Sequence, residues 1–497
     1  MLSTARARRP LGITITHIAL AIAIAFGSLA GAAGYWGVIV APDLVRSPND
    51  AAVIAASRNV ERGQILDRNG RVLAGNERDE NGELYRTYVS PTVSQVVGYY
   101  SRRFGSAGLE RAYSAELAGL ATDPLADALR KFGSDPYDPQ DLHLSLDYGM
   151  QRAAVRALGD QKGAVVMMDP TTGEILALAS NPTYDASAIA DPRTAADTFQ
   201  ALQDDPDNPL LPRATLGRYV PGSVFKIVTA IAALGSGAIT PETTFPEQAE
   251  TGEDGLLVNG FRVREGHTLR RGQALTLRQA TEVSSNIFYA LAGLATGGEN
   301  LVEYASRLGF GAPLPFDLPT AASQVTNGRG SDPGGFVDDV ELANASYGQG
   351  ETFVTPLQMA LVASTVANDG VLMRPRLVTA LEGKRGTRQV GPEQLRRVIS
   401  TDDAQAIQVA MRRAVEGDLG QQFTSGAKVP GVPTAGKSGT AELGGSGEPH
   451  SWFIGFAPVN QPRVAIAVLV ERAGRGGAVA APIAGDLMTR YFEEFGE

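Results

Sequence analysis

The stretch Val220-Pro-Gly-Ser-Val-Phe-Lys226 runs directly into Ile227-Val-Thr-Ala-Ile-Ala-Ala-Leu234, and its reading decides the rest of the chain. Pro-Gly before a serine signals the start of a helix. Residues i and i+3 share a helix face, so the Lys226 amine is expected to reach the Ser223 hydroxyl. A serine hydroxyl is a weak nucleophile until a base takes its proton. A lysine buried near another cation loses enough basicity to act as that base. Ser-x-x-Lys alone is weak evidence, because the pair is common on solvated helices. The flank gives it weight: a helix this apolar should be central, and a lysine within it needs a reason.

Lysine is scarce in this sequence. Of 44 basic residues only Lys131, Lys162, Lys226, Lys384, Lys428 and Lys437 are lysines. The others are arginine, which does not release its proton. The plain alternative is that GC-rich coding favours arginine.

Two further clusters follow. Ser284-Ser-Asn286 begins 61 residues after Ser223, and Lys437-Ser-Gly-Thr440 begins 153 residues after that. In the first, a hydroxyl next to a nucleophile relays a proton and an amide binds a peptide carbonyl. The plain alternative is a serine capping a helix. In the second, a strand edge with a glycine admits a substrate backbone, and a lysine with two hydroxyls suits a carboxylate. Its plain alternative is a strand ending in a polar turn. In this order the clusters, Ser-x-x-Lys, Ser-x-Asn and Lys-Ser-Gly, resemble the Ser-x-x-Lys, Ser-Asp-Asn and Lys-Thr-Gly set of serine β-lactamases and penicillin-binding proteins.

Outward from these clusters the pattern is strands at both ends and helices between. Gly163-Ala-Val-Val-Met-Met168 and Glu174-Ile-Leu-Ala-Leu-Ala179 flank the turn Asp169–Gly173. Ser451 to Ala457 and Val464 to Val470 form a second hairpin before a terminal helix around Ala480 to Phe495. Leu144 to Leu158 has helical spacing. The middle, from about Pro221 to Gly420, is mainly helical with Gly/Pro-rich loops such as Gly311 to Asp339. This predicts an α+β fold with one antiparallel sheet and an inserted helical lobe. Earlier, Arg62 to Ala74 reads as two short strands around Asn69-Gly70, Ser106 to Gly119 as a short helix, and Asp135 to Gln140 as a hinge. No internal repeat is visible.

Composition removes several classes. There are 54 acidic against 44 basic residues and a net charge of −10, which argues against nucleic acid as a partner. The absence of cysteine excludes disulfide scaffolds, thiol nucleophiles and thiolate metal sites. His17, His143, His267 and His450 never fall at ligand spacing, so no metal and no cofactor is expected.

Pro10 to Pro42 holds no Asp, Glu, Lys or Arg. Ile13 to Trp36 would span about 36 Å as a helix, enough to cross a bilayer. Arg6, Arg8 and Arg9 precede it, which predicts a cytoplasmic N-terminus and an extracytoplasmic bulk. Ala30-Gly-Ala32 resembles a signal cleavage site, but the apolar run continues to Ala41, so an uncleaved anchor is the preferred reading. The expected divisions are a cytoplasmic tail at 1–11, a transmembrane anchor at 12–41, a membrane-proximal pedestal at 42–143 and a catalytic domain at 144–497. Within the anchor, Ala23, Gly27, Gly31 and Gly34 trace a small-residue face suited to a second helix.

The chain resembles the class B penicillin-binding proteins, monofunctional peptidoglycan D,D-transpeptidases, over nearly its whole length. Arg62-Gly-Gln-Ile-Leu-Asp-Arg-Asn-Gly70, Tyr347-Gly-Gln-Gly350 and His450-Ser-Trp-Phe-Ile-Gly-Phe-Ala-Pro458 add to the three clusters. The compact region before Asp147 is most like the elongation-type or actinobacterial A-type branch. Val220 and Val224 depart from the family's usual proline and threonine, away from any reacting group. The resemblance implies a five-stranded antiparallel sheet and an acyl-enzyme on Ser223, with Lys226 as base. Ser284 would shuttle a proton alongside Lys437, and Asn286 would orient the donor peptide. Ser438 and Thr440 would hold its terminal carboxylate, with Gly439 between them. The Ser223 and Thr440 N–H groups would form the oxyanion hole. The resemblance leaves Tyr347–Gly350 and Trp452 as site-lining or structural, and makes His450 structural. Expected partners are peptidoglycan stem peptides, β-lactams as covalent inhibitors, and a SEDS-type glycosyltransferase in the membrane.

Rival readings use the same clusters. A serine β-lactamase needs a deacylating base, and Glu341-Leu-Ala-Asn344 is one residue short of the expected spacing. A β-lactam sensor needs a cytoplasmic effector, for which eleven residues are too few. A non-catalytic scaffold sits poorly with intact clusters. About a hundred residues between anchor and catalytic domain leave no room for a glycosyltransferase.

Overall fold

The computed structural model describes residues 61–120 and 138–496, except 79, 81, 83, 252–253, 331–333 and 445–446, together with scattered positions between 17 and 32. Most of the expected anchor at 12–41 and part of the expected hinge at 135–140 lie outside them. Among the described residues no helix is long and apolar enough to cross a membrane.

The N-terminal region is built on a turn. Strand β1 (Ile65–Leu66) leads through Asn69-Gly70 into β2 (Val72–Arg78) and then β3 (Leu84–Tyr88). The Asp67 carboxylate accepts the Asn69 and Arg71 N–H groups at 2.9 and 2.8 Å, an Asx turn that leaves Gly70 at φ +79°. The expected single helix at 106–119 is two short ones, Gly108–Ala112 and Ser114–Leu117. Strand β4 (Asp141–Leu144) pairs in parallel with β1.

Helix α1 (Tyr148–Leu158) starts on Asp147, whose carboxylate accepts the Met150 N–H. Strands β5 (Gly163–Met168) and β6 (Ile175–Asn181) follow. The helical part opens with the 3-10 turn Gly222–Phe225 and α2 (Lys226–Gly235). The small hairpin β7 (Leu256–Val258) and β8 (Phe261–Val263) precedes α3 (Leu277–Glu282) and α4 (Asn286–Thr296). Then come α5 (Asp339–Ser346), α6 (Pro356–Ala367), β9 (Val378–Gly383), β10 (Gly386–Gln389) and α7 (Thr401–Glu416). The chain closes with β11 (Ala435–Ala441), β12 (His450–Ala457), β13 (Val464–Val470) and α8 (Ala480–Phe495).

The main sheet has the order β11-β12-β13-β5-β6 and is antiparallel throughout. Its central strands are buried on both faces, which is why Gly163–Met168 and Val464–Val470 read as unbroken apolar runs. Val165, Met167, Ile466 and Val468 pack with α1 and α8 through Met150, Ala154, Leu487 and Met488. Their neighbours Val166, Met168, Ala467 and Leu469 join the larger core, which contains α2 and α6. Each buried Val, Leu, Ile or Met contributes about 1.5–3 kcal/mol, so this layer fixes the frame.

A second sheet, ordered β10-β9-β4-β1-β2-β3, unites the N-terminal strands with residues 378–389. Across the same junction, the Tyr113 hydroxyl donates to Asp317 at 2.6 Å.

Candidate active site

Ser223 lies in the second position of the 3-10 turn, and Lys226 begins α2. The turn is held by close backbone packing. Gly222 has φ +57°, donates its N–H to Gly348 O at 2.9 Å, and has no room for a Cβ, which would stand 2.7 Å from Thr440 O. Gly348 backs the turn from the other side, where a Cβ would meet Gly222 O at 2.0 Å. The Trp452 indole, wholly buried, donates to Val220 O at 3.0 Å. Gly348 and Trp452 are therefore supports behind the turn.

The Lys226 side chain is completely buried. Its amine contacts Ser284 O at 2.6 Å, Asn286 Oδ1 at 2.7 Å and Ser284 Oγ at 3.2 Å. The contact expected with Ser223 is not among its hydrogen bonds; the amine is drawn to two carbonyl oxygens of the second cluster. These oxygens can use both N–H bonds of a neutral amine. The Ser284 hydroxyl is the one partner able to donate into the remaining lone pair. Burial pushes the Lys226 amine well below the usual lysine range, the Lys437 cation adds to that, and Glu265 opposes it.

Ser284 sits at φ +56°, in the left-handed region that non-glycine residues avoid. Ser285 caps α4, accepting the Phe288 N–H at 3.1 Å. This matches the plain alternative for that serine, while its neighbours on both sides contact Lys226. Asn286 donates its side-chain amide to Arg264 O at 2.9 Å.

Strand β11 carries the third cluster at the edge of the main sheet, so among the described residues no other strand pairs with its outer backbone edge. Lys437 is buried, donates to Ser438 O at 2.8 Å, and burial pushes its amine down to about 7. Ser438 is also buried, whereas Thr440 is exposed and its Oγ1 accepts the Gly476 N–H at 3.3 Å. Gly439 is needed for the close approach: a Cβ there would meet Pro221 O at 2.9 Å and Val224 Cγ1 at 3.1 Å. Through Gly439 and Lys226 the structure brings all three clusters together.

Other candidates fall elsewhere. His450 packs edge-on to Tyr219 and accepts the Arg472 N–H at 3.1 Å, a structural placement. Glu341 takes the Thr326 hydroxyl and the Val337 N–H, both at 2.7 Å, which ties down the loop before α5. Among the described residues no group of acidic, histidine or cysteine side chains is arranged to hold a metal.

Two neighbours of the second cluster are not readable from the motifs. Glu265 Oε2 accepts the Asn286 N–H at 2.6 Å and Oε1 accepts the Ser285 hydroxyl. His267 donates from Nε2 to Val283 O and accepts the Leu269 N–H on Nδ1 at 3.1 Å. Their one sequence signal is a charged and a titratable residue in a short loop shortly before the second cluster.

Comparison with known proteins gives the following. The penicillin binding protein transpeptidase domain profile matches residues 163–489, and the penicillin binding protein A dimerisation domain profile matches 62–135. The chain is 35% identical to the peptidoglycan D,D-transpeptidase PbpA of Mycolicibacterium smegmatis, over 95% of this chain and 97% of that one. It is 36% identical to PbpA of Mycobacterium tuberculosis, over 90% and 92%. Penicillin-binding protein A from M. tuberculosis, solved as a ceftriaxone acyl-enzyme complex, superposes with a TM-score of 0.77 at 33% identity, over 88% of this chain and 99% of that one.

Proposed function

This chain belongs to the penicillin-binding protein transpeptidase family, and on that premise we propose that it is a serine-type peptidoglycan D,D-transpeptidase, acylated by β-lactams at the same serine. The observation that carries the reading is the fully buried Lys226 amine, bonded to the second cluster while its own turn packs against the third.

In this reading Ser223 Oγ attacks the penultimate D-alanine carbonyl of a stem pentapeptide. The neutral Lys226 takes the hydroxyl proton, which its burial favours. The carbonyl oxygen gains charge against the Ser223 and Thr440 N–H groups, each such donor being worth about 2.7–4 kcal/mol. Collapse breaks the C–N bond, and Ser284, wired to Lys226, passes the proton to the departing D-alanine amine alongside Lys437. Asn286 orients the donor peptide, and Ser438 and Thr440 receive its terminal carboxylate. An amine from a neighbouring stem then attacks the ester, frees Ser223 and completes the crosslink. The test is release of D-alanine from a pentapeptide ending in D-Ala-D-Ala by the full chain in detergent. Ser223→Ala should abolish release; retained release would remove Ser223 from the chemistry.

The same reading includes a single-pass anchor over 12–41 with a cytoplasmic N-terminus and the catalytic domain outside. Support comes from the charge-free run and from the exposure of Leu20, Ile24, Phe26 and Leu29. Glycan polymerisation would then come from a SEDS-type membrane partner docked on the Gly27 and Gly31 face. Gly27→Leu with Gly31→Leu should leave Ser223 labelling intact and abolish co-purification with that polymerase. Undiminished co-purification would place the contact elsewhere.

A further inference from the structure

The loop Arg264-Glu-Gly-His267 brackets the strained Ser284 on both sides. Before it, His267 Nε2 donates to Val283 O. After it, Glu265 accepts from the Ser285 hydroxyl and the Asn286 N–H, and Arg264 O accepts the Asn286 amide. A left-handed non-glycine residue costs about 1 kcal/mol or more and persists only where its surroundings over-determine it. These four bonds supply that determination. A carboxylate on the first N–H of α4 also suits the positive end of an 11-residue helix.

We propose that Glu265 is a positioning residue for the acyl-transfer reaction, fixing Ser284 and Asn286 around the Lys226 amine; this rests on the transpeptidase reading above. Glu265 touches neither Ser223 nor Lys226 through a hydrogen bond and acts through the residues between. Its charge also bears on the base. The groups facing the Lys226 amine are Ser284 and Asn286 from the second cluster, the Tyr289 ring from α4 at 5.7 Å, Lys437 from β11 and Glu265 from the loop, with His267 behind. Glu265 is the one negative charge in that set and favours the protonated amine. Removing it makes the amine less basic, so the acid limb of acylation should move to lower pH.

Glu265→Gln is isosteric, yet its amide group must face one of two donors that the carboxylate accepted. The test measures the second-order rate of benzylpenicillin acylation against pH, with a thermal melt, on full chain in detergent. The expected result for Glu265→Gln is a loss of about tenfold or more, with the acid limb displaced to lower pH and the melting temperature within a few degrees of native. Glu265→Asp, keeping the charge on a shorter arm, should lose part of the rate with its limb at the native position. A Glu265→Gln rate within twofold of native and an unmoved limb would overturn the proposal. So would rates that fall only in step with melting temperature in both variants, which marks a purely structural residue. If Glu265→Gln does not fold, an Asp variant with native rate overturns it and a slowed one with unshifted limb and native melting upholds it. A native chain that never labels at Ser223 overturns the transpeptidase reading instead.

Discussion

Two places in this molecule gather buried cations around one carboxylate, and they do opposite things with them. In the N-terminal region Glu110, wholly buried, accepts from Arg86 Nε at 2.5 Å and from Arg62 Nε at 3.0 Å. Burial by itself would raise the Glu110 carboxyl, but Arg86 and Arg62 outweigh it and hold it below the ordinary range. The second guanidinium nitrogens reach Gly63 O and Glu110 O. In the active site the cations are lysines, and the carboxylate pairs with a helix N-terminus instead of either amine. Lys226 and Lys437 are left among neutral oxygens, where burial drives them toward the uncharged form. Arginine locks a geometry; lysine in the same degree of burial becomes a base. The scarcity of lysine in the sequence acquires a physical meaning from this contrast.

The largest expected effect is at Lys226. Lys226→Arg should lose about a thousandfold in acylation rate, as much as Lys226→Ala, because a guanidinium keeps its proton and offers no lone pair to take the serine's. Stopped-flow acylation would show it, and near-native acylation by the arginine variant would make Lys226 an electrostatic support.

Next is the structural triad. Glu110→Gln should cost about 3–5 kcal/mol of unfolding free energy by leaving two buried guanidinium groups underpaired. Denaturant titration reads that loss, while the acylation rate of the folded variant stays native. A variant as stable as the native chain would show that the triad is not held by charge.

Lys437 gives a signed effect that appears only as pH is raised. Its folded value of about 7 lies below the ordinary lysine value of 10.5. Below about 7 both folded and unfolded chains hold the proton, and above 10.5 neither does. Between the two, only the unfolded chain is protonated, so stability rises with pH by up to about 1.4 kcal/mol per unit from this group. Lys437→Met should remove that rise from the difference between the two stability curves. Lys162 is the control: its pair with Asp207 at 2.7 Å is largely exposed, and Lys162→Met should change stability by less than about 1 kcal/mol.

Much of this is legible in the residues themselves. The runs Gly163–Met168 and Val464–Val470 announce buried strands, and the apolar flank of Lys226 announces a buried lysine. Legibility ends where the argument depends on distant backbone. Strands β9 and β10 complete the N-terminal sheet through pairs such as Val378 with Leu144, and no local pattern specifies a partner so far along the chain. The direction of the Lys226 amine is another case. Helical spacing points it at Ser223, whereas Ser284 O and the Asn286 amide accept from it, on a bend that Glu265 and His267 contact from a separate loop. Glu265 carries no motif because its role is to hold residues that do.

One buried lysine makes one serine the nucleophile. The most direct measurement is mass spectrometry of the intact full-length chain after exposure to benzylpenicillin, followed by peptide mapping over time. A single long-lived adduct on Ser223, absent from Lys226→Arg, is the expected result. Label on Ser284 or Ser285, or an adduct lost within seconds, would contradict it.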